Sequence, residues 1–215
     1  MLGKFTKIAA ISLVAAAGFT PLASLAQDAY PTKSIRFVVP YPPGGPTDLM
    51  ARLLQGELQT RLGVTVLIDN KAGAGGNVGS ADVAKQAPAD GHTLLLAASG
   101  PTAVHSRLYK SMPFNPLTEL APVIQISSFP LVLEVHPKVP AKNLKELIAY
   151  AKTNKKDLSF ASAGNGTPQH LAGELFNTQM GIEIAHIPYK GAGPALNDLL
   201  GGQVQVMFDV LGSSL

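Results

Sequence analysis

Four glycine-rich loops each follow a short apolar run and lead toward a stretch with helical periodicity; they span residues 42–47, 73–77, 99–102 and 163–167. In a parallel sheet such loops gather at the carboxyl edge of the strands, where open α/β folds bind ligands. A helix start offers unpaired backbone N–H groups and a partial positive charge, and glycine lets an anion approach them closely. Since no arginine lies within these loops, they predict a site for a small anion held mainly by amides and hydroxyls.

A nucleotide is a poor candidate for that anion. The stretch from Gly73 to Gly79 superficially resembles a nucleotide-binding loop, but its glycines lack the GxGxxG spacing and no Gly-Lys-Ser or Gly-Lys-Thr follows. For Gly75 and Gly76 taken alone, a role in an ordinary turn is an equal alternative.

Several polar residues near the loops have simple structural explanations as well. Asp48 can pair with the dipole of the first helix, and His170 can lie on the surface instead of donating to an anion. His186 and Lys190 can merely order the loop that they flank. Sequence alone leaves these alternatives open.

Catalysis has little support in the sequence. Ser99 and Ser162 both end apolar runs, but neither lies in a Gly-x-Ser-x-Gly elbow. The histidines show no metal-ligand spacing with carboxylates, and no close pair of acids is visible. We therefore expect no enzymatic activity, no metal and no cofactor.

The first 26 residues have the pattern of a cleavable secretion signal. Lys4 and Lys7 precede an apolar run of about a dozen residues, too short for a bilayer span of about 20, and Ser24-Leu25-Ala26 suits signal peptidase. We expect cleavage after Ala26 and a periplasmic protein without lipid anchor or disulfides, because the chain has no Cys. Since both lysines leave with the signal, the formal charge falls from +3 to +1, and no basic run indicates a nucleic-acid partner.

The elements that must position the loops alternate between β-branched runs and helical patterns, which predicts an α/β fold with parallel sheets. The first strands are expected at residues 35–39, 64–68 and 93–98. The helix between the first two is well marked, because Pro46 stands at its start and Gly63 just past its end. Its buried face is expected to carry Leu49, Leu53, Leu54, Leu58 and Leu62.

Dense prolines between Pro113 and Pro140 surround the apolar runs 123–126 and 131–135. Prolines this dense exclude central strands and helix interiors. We place the crossing between two lobes here, with residues 27–124 as the first α/β lobe and residues 125–215 as the second.

The second lobe repeats the α/β pattern. Asn143 can cap a helix with Glu146 three residues later, and its buried stripe is expected to contain Leu144, Leu147, Ile148 and Ala151. Further helices are predicted at residues 168–180 and 194–200. Strands are predicted at residues 158–162, 182–187 and 204–208.

Five segments stand out along nearly all of the chain after the predicted signal. They are Ile35–Asp48, Asn70–Gly79, Pro88–Leu95, His186–Gly191 and Asp198–Val204. In their sequence and their order these segments resemble the Bug, or TctC-like, solute receptors of tripartite tricarboxylate transporters.

The resemblance implies a two-lobed Venus-flytrap fold of the periplasmic-binding-protein type that closes on a small carboxylate. It implies contacts by backbone groups and ordered water, without an essential salt bridge. In the first lobe the implied contacts are Tyr41, Gly44, Gly45, Thr47, Asp48, Ala74, Ser99 and Gly100. In the second lobe they are Ser162, Ala163, Gly164, Thr167, His170 and Asp209.

The resemblance also implies partners. We expect a monomer that delivers its carboxylate to the membrane permease subunits of a tripartite tricarboxylate transporter. The alternative is a periplasmic carboxylate sensor that acts on a two-component signalling kinase. Because family members run well beyond the length of this chain, we expect the second lobe to be incomplete and the return segment to the first lobe to be missing.

Overall fold

The computed structural model describes residues 29–213. The predicted secretion signal and its cleavage after Ala26 lie outside the described residues. From Lys33 onward the chain forms one compact unit. It contains two β-sheets with flanking helices, so the predicted α/β class with mainly parallel sheets is confirmed.

The first sheet is fully parallel and has β1 in its centre. It consists of β1 (Ile35–Val39), β2 (Val66–Asn70) and β3 (Thr93–Leu95), in the order β2-β1-β3. Four of the five β1 residues are buried because strands pair on both of its sides. The bounds of β1 agree with the sequence prediction, whereas β2 begins and ends two residues later and β3 stops at Leu95 rather than at residue 98.

Helix α1 (Pro46–Leu62) follows β1 and has the predicted bounds, with Gly63 in the left-handed conformation at its end (φ 69°). The prediction that Leu49 and Leu53 lie in the core is wrong, since they are 43% and 73% exposed. At 100° per residue both stand almost opposite Ala51, which is fully buried against the sheet. The other α1 residues that pack against the core cluster containing Ala51 are Met50, Leu54, Leu58 and Leu62.

The remaining helices of this half follow β2 and β3. A 3₁₀ turn (Ala74–Gly76) leads into α2 (Asn77–Gln86), and a wide helical turn (Gly100–Val104) leads into the short α3 (His105–Leu108). The sequence predicted a helix after each of the glycine loops 73–77 and 99–102, which α2 and α3 confirm, whereas it did not predict the wide turn. An ion cluster ties α2 to the sheet, because Arg36 contacts both Asp69 of β2 and Asp82 of α2 at 2.6 Å.

The second sheet is mixed and has the order β4-β7-β5-β6. Its strands are β4 (Leu131–Val135), β5 (Ser159–Ser162), β6 (Ala185–Pro188) and β7 (Val206–Val210). Only β4 runs antiparallel, at an edge, which agrees with the exclusion of the proline-rich passage from central strands. The apolar run 123–126 lies in an exposed segment without regular structure.

Strand β6 starts three residues later than predicted because the side chain of Asn177 binds the backbone just before it. Asn177 donates to the carbonyl of Ile184 and accepts from its N–H, both at 3.0 Å. The backbone groups of Ile184 are thus satisfied outside the sheet. Ile182 and Ile184 remain core residues, 3% and 4% exposed.

Helices α4 (Leu144–Thr153), α5 (Pro168–Met180) and α6 (Ala192–Leu200) flank the second sheet. The Asn143 cap is confirmed, because its Oδ1 accepts the N–H of Glu146 at 3.0 Å. Leu144 is 51% exposed, contrary to the prediction, because the buried stripe of α4 begins one turn later at Leu147. The bounds of α5 are as predicted, whereas α6 begins at Ala192 rather than at Pro194. Among the described residues, no helix combines the length and the apolar character needed to cross a bilayer.

Candidate functional site

Loops from the two sheets meet at their carboxyl edges. A Cβ placed on Gly75 would lie 2.7 Å from the carbonyl oxygen of Asn165, and one placed on Gly164 would lie 3.2 Å from the Cα of Gly75. A second contact joins the loops after β1 and β6, where a Cβ on Gly191 would lie 2.6 Å from Pro42 Cδ. These distances leave no room for a side chain. The glycines therefore permit backbone to approach backbone across the site.

Asp48 orders the loop after β1. It is 1% exposed, and its Oδ2 accepts the N–H of Gly44 and the Nε of Arg52, both at 2.9 Å. Its Oδ1 accepts the Nδ2 of Asn70 at 2.9 Å. Burial opposes ionisation, but these hydrogen bonds, with Arg52 first among them, hold the pKa of Asp48 below its usual range. Both carboxylate oxygens are thus engaged within the chain.

Tyr41 links this loop to the next one. Its hydroxyl donates to the carbonyl of Gly75 at 3.0 Å, and its own carbonyl accepts the Nδ2 of Asn70 at 3.0 Å. Burial raises the pKa of Tyr41, so the phenol stays protonated. Next to the Gly75 contact, Ala74 has a positive φ of 47°, which is uncommon for a residue with a side chain. The loops on the first sheet are therefore tied to each other.

The loop after β5 is held by hydroxyls. Thr167 Oγ1 donates to the carbonyl of Gly164 at 2.7 Å, and the N–H of Gly164 donates to Ser162 Oγ at 3.1 Å. Both side chains are buried, with Ser162 at 0% and Thr167 at 1% exposure. Their hydroxyls hold the loop in shape.

A stack of three rings supports the same loop. The ring centroids of His170 and His186 are 4.2 Å apart, and those of His186 and Phe160 are 4.8 Å apart. His186 Nε2 lies 2.7 Å from Ser162 Oγ, and the N–H of Gly166 donates to His170 Nδ1 at 3.1 Å. Burial, with a smaller effect from His170, lowers the pKa of His186 to about 4. The His186 ring is therefore uncharged at neutral pH.

The expectation of no metal-ligand spacing between histidines and carboxylates overlooks one group, which consists of His170, Glu174 and His186. Nitrogens of His170 and His186 and an oxygen of Glu174 all lie within 4.8 Å of one another, because Glu174 follows His170 by one turn of α5. However, His170 Nδ1 accepts the N–H of Gly166, so the neutral ring carries its proton on Nε2. A metal on Nε2 would require the proton on Nδ1 and would break that bond. The hydrogen bonds thus favour a structural role.

His105 is the residue of this region that sequence reasoning missed. It is fully buried, and its Nδ1 lies 2.8 Å from Asn77 Oδ1. Its ring lies where loops from both sheets meet, next to Gly75, Gly100 and Gly166. The only available signal was its position shortly after the third glycine loop, which is too weak to single it out.

The structure places the other predicted site residues in four settings. Gly100 and Ala163 are buried at the loop contact, and Gly45 is buried at the start of α1, where a Cβ would meet only Pro42 O at 3.9 Å. Ser99 is exposed and Thr47 half-buried. Asp209 is fully buried in β7, where its Oδ1 accepts the Nε2 of Gln169 at 3.2 Å.

Comparison with known proteins agrees with this architecture. A model of the tripartite tricarboxylate transporter family receptor, TctC, matches residues 50–214. Protein BugT of Bordetella pertussis is 46% identical over 192 residues, which cover 89% of this chain and 58% of BugT. The structure of R. palustris Rpa4515 with adipate is 38% identical with a TM-score of 0.83, and that of the periplasmic binding protein BugD is 40% identical with a TM-score of 0.79.

These structures are matched over 86% and 84% of this chain and over 62% and 60% of their own chains. The chain thus spans less than two thirds of the length of these relatives. Since the family matches most of the chain, as does the periplasmic-binding-protein fold of BugD, the chain belongs to the TctC family of tripartite tricarboxylate transporter receptors.

Proposed function

We propose that the chain captures a small carboxylate between two lobes, residues 27–124 and 125–215, and that it does so without chemical change to the ligand. The observation that carries this proposal is the contact of glycine loops from both sheets at Gly75, Asn165 and Gly164. Backbone from two sheets converges there, next to helix starts that favour anions. The related structure of R. palustris Rpa4515 with adipate supports a carboxylate as the ligand.

The chemistry of the loops fits a carboxylate held by backbone amides. The side chains of Asp48, Ser162 and Thr167 are engaged in ordering the loops. The ligand would then meet N–H groups of preformed loops, with Tyr41, Gly44, Gly45, Thr47, Ala74, Ser99, Gly100, Ala163 and His170 around it. In this role Asp48 and Asp209 act by holding neighbouring groups and not by direct contact.

The family supports a place in transport. Its members are receptors and not a class of enzymes, and BugD is described as a periplasmic binding protein. We infer that the chain works as a monomer in the periplasm, after cleavage at Ala26. It would hand its carboxylate to the membrane subunits of a tripartite tricarboxylate transporter. No feature of the described residues favours a signalling kinase as partner.

A thermal-shift screen tests the capture proposal. The purified chain is melted with a panel of carboxylates that includes adipate, and a ligand should raise the melting temperature in a concentration-dependent manner. Recovery of the ligand unchanged after incubation tests the absence of chemistry. If no carboxylate of the panel shifts the melt, the proposal fails.

A substitution at Gly45 locates the site. Its φ of −84° suits any residue and a Cβ there would make only an ordinary contact with Pro42 O at 3.9 Å, so Gly45→Val should fold normally while its side chain blocks the approach of a ligand to the loop. The shift with the ligand should disappear. Gly56→Val, at an exposed position of α1 with nothing within 4 Å, should keep it. An unchanged shift in Gly45→Val would move the site elsewhere.

A further inference from the structure

His105 has a buried ring nitrogen without a hydrogen-bond partner among the described residues. Its Nδ1 is bonded to Asn77 Oδ1 at 2.8 Å, whereas its Nε2 is completely shielded from solvent and unpaired. A buried polar atom without a partner destabilises the folded chain. An unpaired buried atom where two loops meet indicates that a bound molecule supplies the missing hydrogen-bond partner.

Two carbonyl oxygens of the facing loop, those of Asn165 and Gly166, lie on the side of that nitrogen. A Cβ built on Gly75 would lie 2.7 Å from Asn165 O and 3.3 Å from His105 Nε2. A Cβ built on Gly100 would lie 3.2 Å from Gly166 O and 3.0 Å from the same nitrogen. Both carbonyls face the His105 ring closely enough to raise its pKa, although Nε2 meets the geometry of a hydrogen bond with neither of them. Carbonyl oxygens near Nε2 favour a proton on that nitrogen, and a protonated Nε2 can donate to an acceptor oxygen.

Glycine at three positions makes this arrangement possible. A Cβ on Gly166 would lie 2.6 Å from His105 Nε2, one on Gly75 would lie 2.9 Å from its Cε1, and one on Gly100 would lie 3.0 Å from its Nε2. Two of these glycines belong to the first sheet and one to the second. His105 is thus the side chain on which the two sets of loops converge.

The tautomer of the neutral ring follows from Asn77. An amide oxygen can only accept, so Nδ1 carries the proton and Nε2 presents a lone pair toward the carbonyls. When Nε2 also gains a proton, the ring becomes a cation with a second donor. That donor points into the region where the carboxylate is proposed to bind.

We propose that His105 Nε2 takes up a proton when the ligand binds and donates it in a charge-assisted hydrogen bond to the ligand's carboxylate. The inference rests on the proposed capture of a carboxylate. The carboxylate oxygen replaces the carbonyls of Asn165 and Gly166 when the loops part to admit it. The proton comes from solvent and returns to solvent when the ligand leaves.

The groups around His105 determine the direction of the pH dependence. The ring of Tyr109 lies 4.8 Å away, Tyr41 lies beside Gly76, and His170 is bonded to Gly166. Burial lowers the pKa of His105, and the two carbonyls oppose this effect without an ionic partner. A carboxylate against Nε2 raises that pKa. The affinity should therefore increase as pH falls through the pKa of the complex and level off below the pKa of the empty protein.

Calorimetry measures the proton directly. Adipate is titrated into the full chain at about pH 7, where carboxylic acids are ionised, in two buffers of different ionisation enthalpy. The difference in heat should give uptake of up to about one proton per bound adipate. His105→Gln can place an amide N–H near the Nε2 position but does not titrate, so it should bind with no proton uptake. His105→Leu should lose about tenfold in affinity or more, as expected for one charge-assisted hydrogen bond.

His136→Gln is the matched control, because His136 follows β4 at the opposite edge of the second sheet and lies beside Gly202. It should retain the proton uptake of the wild-type chain, and melts without ligand should show that every variant folds. Adipate binding without proton uptake, or with uptake that persists in His105→Gln, would overturn this inference and leave the capture proposal intact. Failure of adipate and of the whole carboxylate panel to bind would overturn both.

Discussion

The backbone of Gly75 packs directly on the carbonyl oxygen of Asn165, with 2.7 Å between that oxygen and the position of a Gly75 Cβ. The hydroxyl of Tyr109 lies 3.5 Å from the same oxygen. This contact connects the turn before α2 to the loop after β5, so the loops of the two sheets are closed on one another. At the proposed site, a ligand would enter only when this contact opens.

Gly75→Ala should prevent the closed contact. A methyl group at that position would overlap Asn165 O and the ring of His105, so the loops should remain apart and the melting shift with a carboxylate should be lost. Gly181→Ala is matched in backbone strain, because φ is 63° at Gly75 and 62° at Gly181, where a Cβ has open space. Gly181→Ala should cost about 1 kcal/mol of stability and retain ligand binding. Equal binding by the two variants would contradict the closure argument.

Asp48→Asn should destabilise the chain by about 2 kcal/mol, because a buried carboxylate that accepts three hydrogen bonds is replaced by an amide. The pKa of Asp48 is lower in the folded protein, so its contribution is present above the ordinary carboxyl pKa and is lost as pH falls through the lower folded value. Urea unfolding should therefore show a large difference from wild type at about pH 7 and a smaller one at about pH 3. Glu57→Gln, which removes an exposed ion pair of the same helix, should change stability by less than about 0.5 kcal/mol.

His186→Gln should make stability less dependent on pH. The pKa of His186 is about 4 in the folded protein, below the ordinary value for histidine, so the unfolded chain binds its proton first. Stability should be highest above pH 6.5 and decline toward pH 4, by about 1 kcal/mol from this residue. Glutamine can keep the bond to Ser162 without titrating, so the decline should be smaller. The same decline in the variant as in wild type would assign it to other groups.

Two glycines inside helices should respond in opposite directions to alanine. Gly56 of α1 is exposed with open space around it, so Gly56→Ala should stabilise the chain by about 1 kcal/mol through helix propensity. Gly173 of α5 is buried against the ring of Phe160, which a Cβ would overlap. Gly173→Ala should therefore destabilise by about 1–3 kcal/mol despite the better propensity. Thermal or urea unfolding of both variants measures the sign.

Local signals explain what the sequence predicted well. The bounds of α1 and α5 were correct because each helix starts at a proline and ends before a glycine that adopts a left-handed conformation. The position of Asn143 three residues before Glu146 was enough to locate the start of α4. The glycine loops were also placed correctly at the carboxyl ends of strands. In each case the determining residues are neighbours in sequence.

Long-range contacts explain what it missed. Leucine occurs on two faces of α1, and only the position of the sheet decides that Leu54 is packed while Leu53 is exposed. The late start of β6 depends on Asn177, a side chain from a helix. His105 stands out only once loops from both sheets surround its ring. None of these contacts leaves a periodic pattern in the chain.

The hydrogen bonds of Asp48 have a consequence for the thermodynamics of capture. Because Gly44, Arg52 and Asn70 already fix the loop after β1, its conformational entropy is lost when the chain folds and not when a ligand arrives. In the proposed capture, association then requires the two sets of loops to separate and close again, with little rearrangement within the first set. Binding should accordingly be limited by the rate of that opening, and the loop after β1 should show the same order with and without ligand.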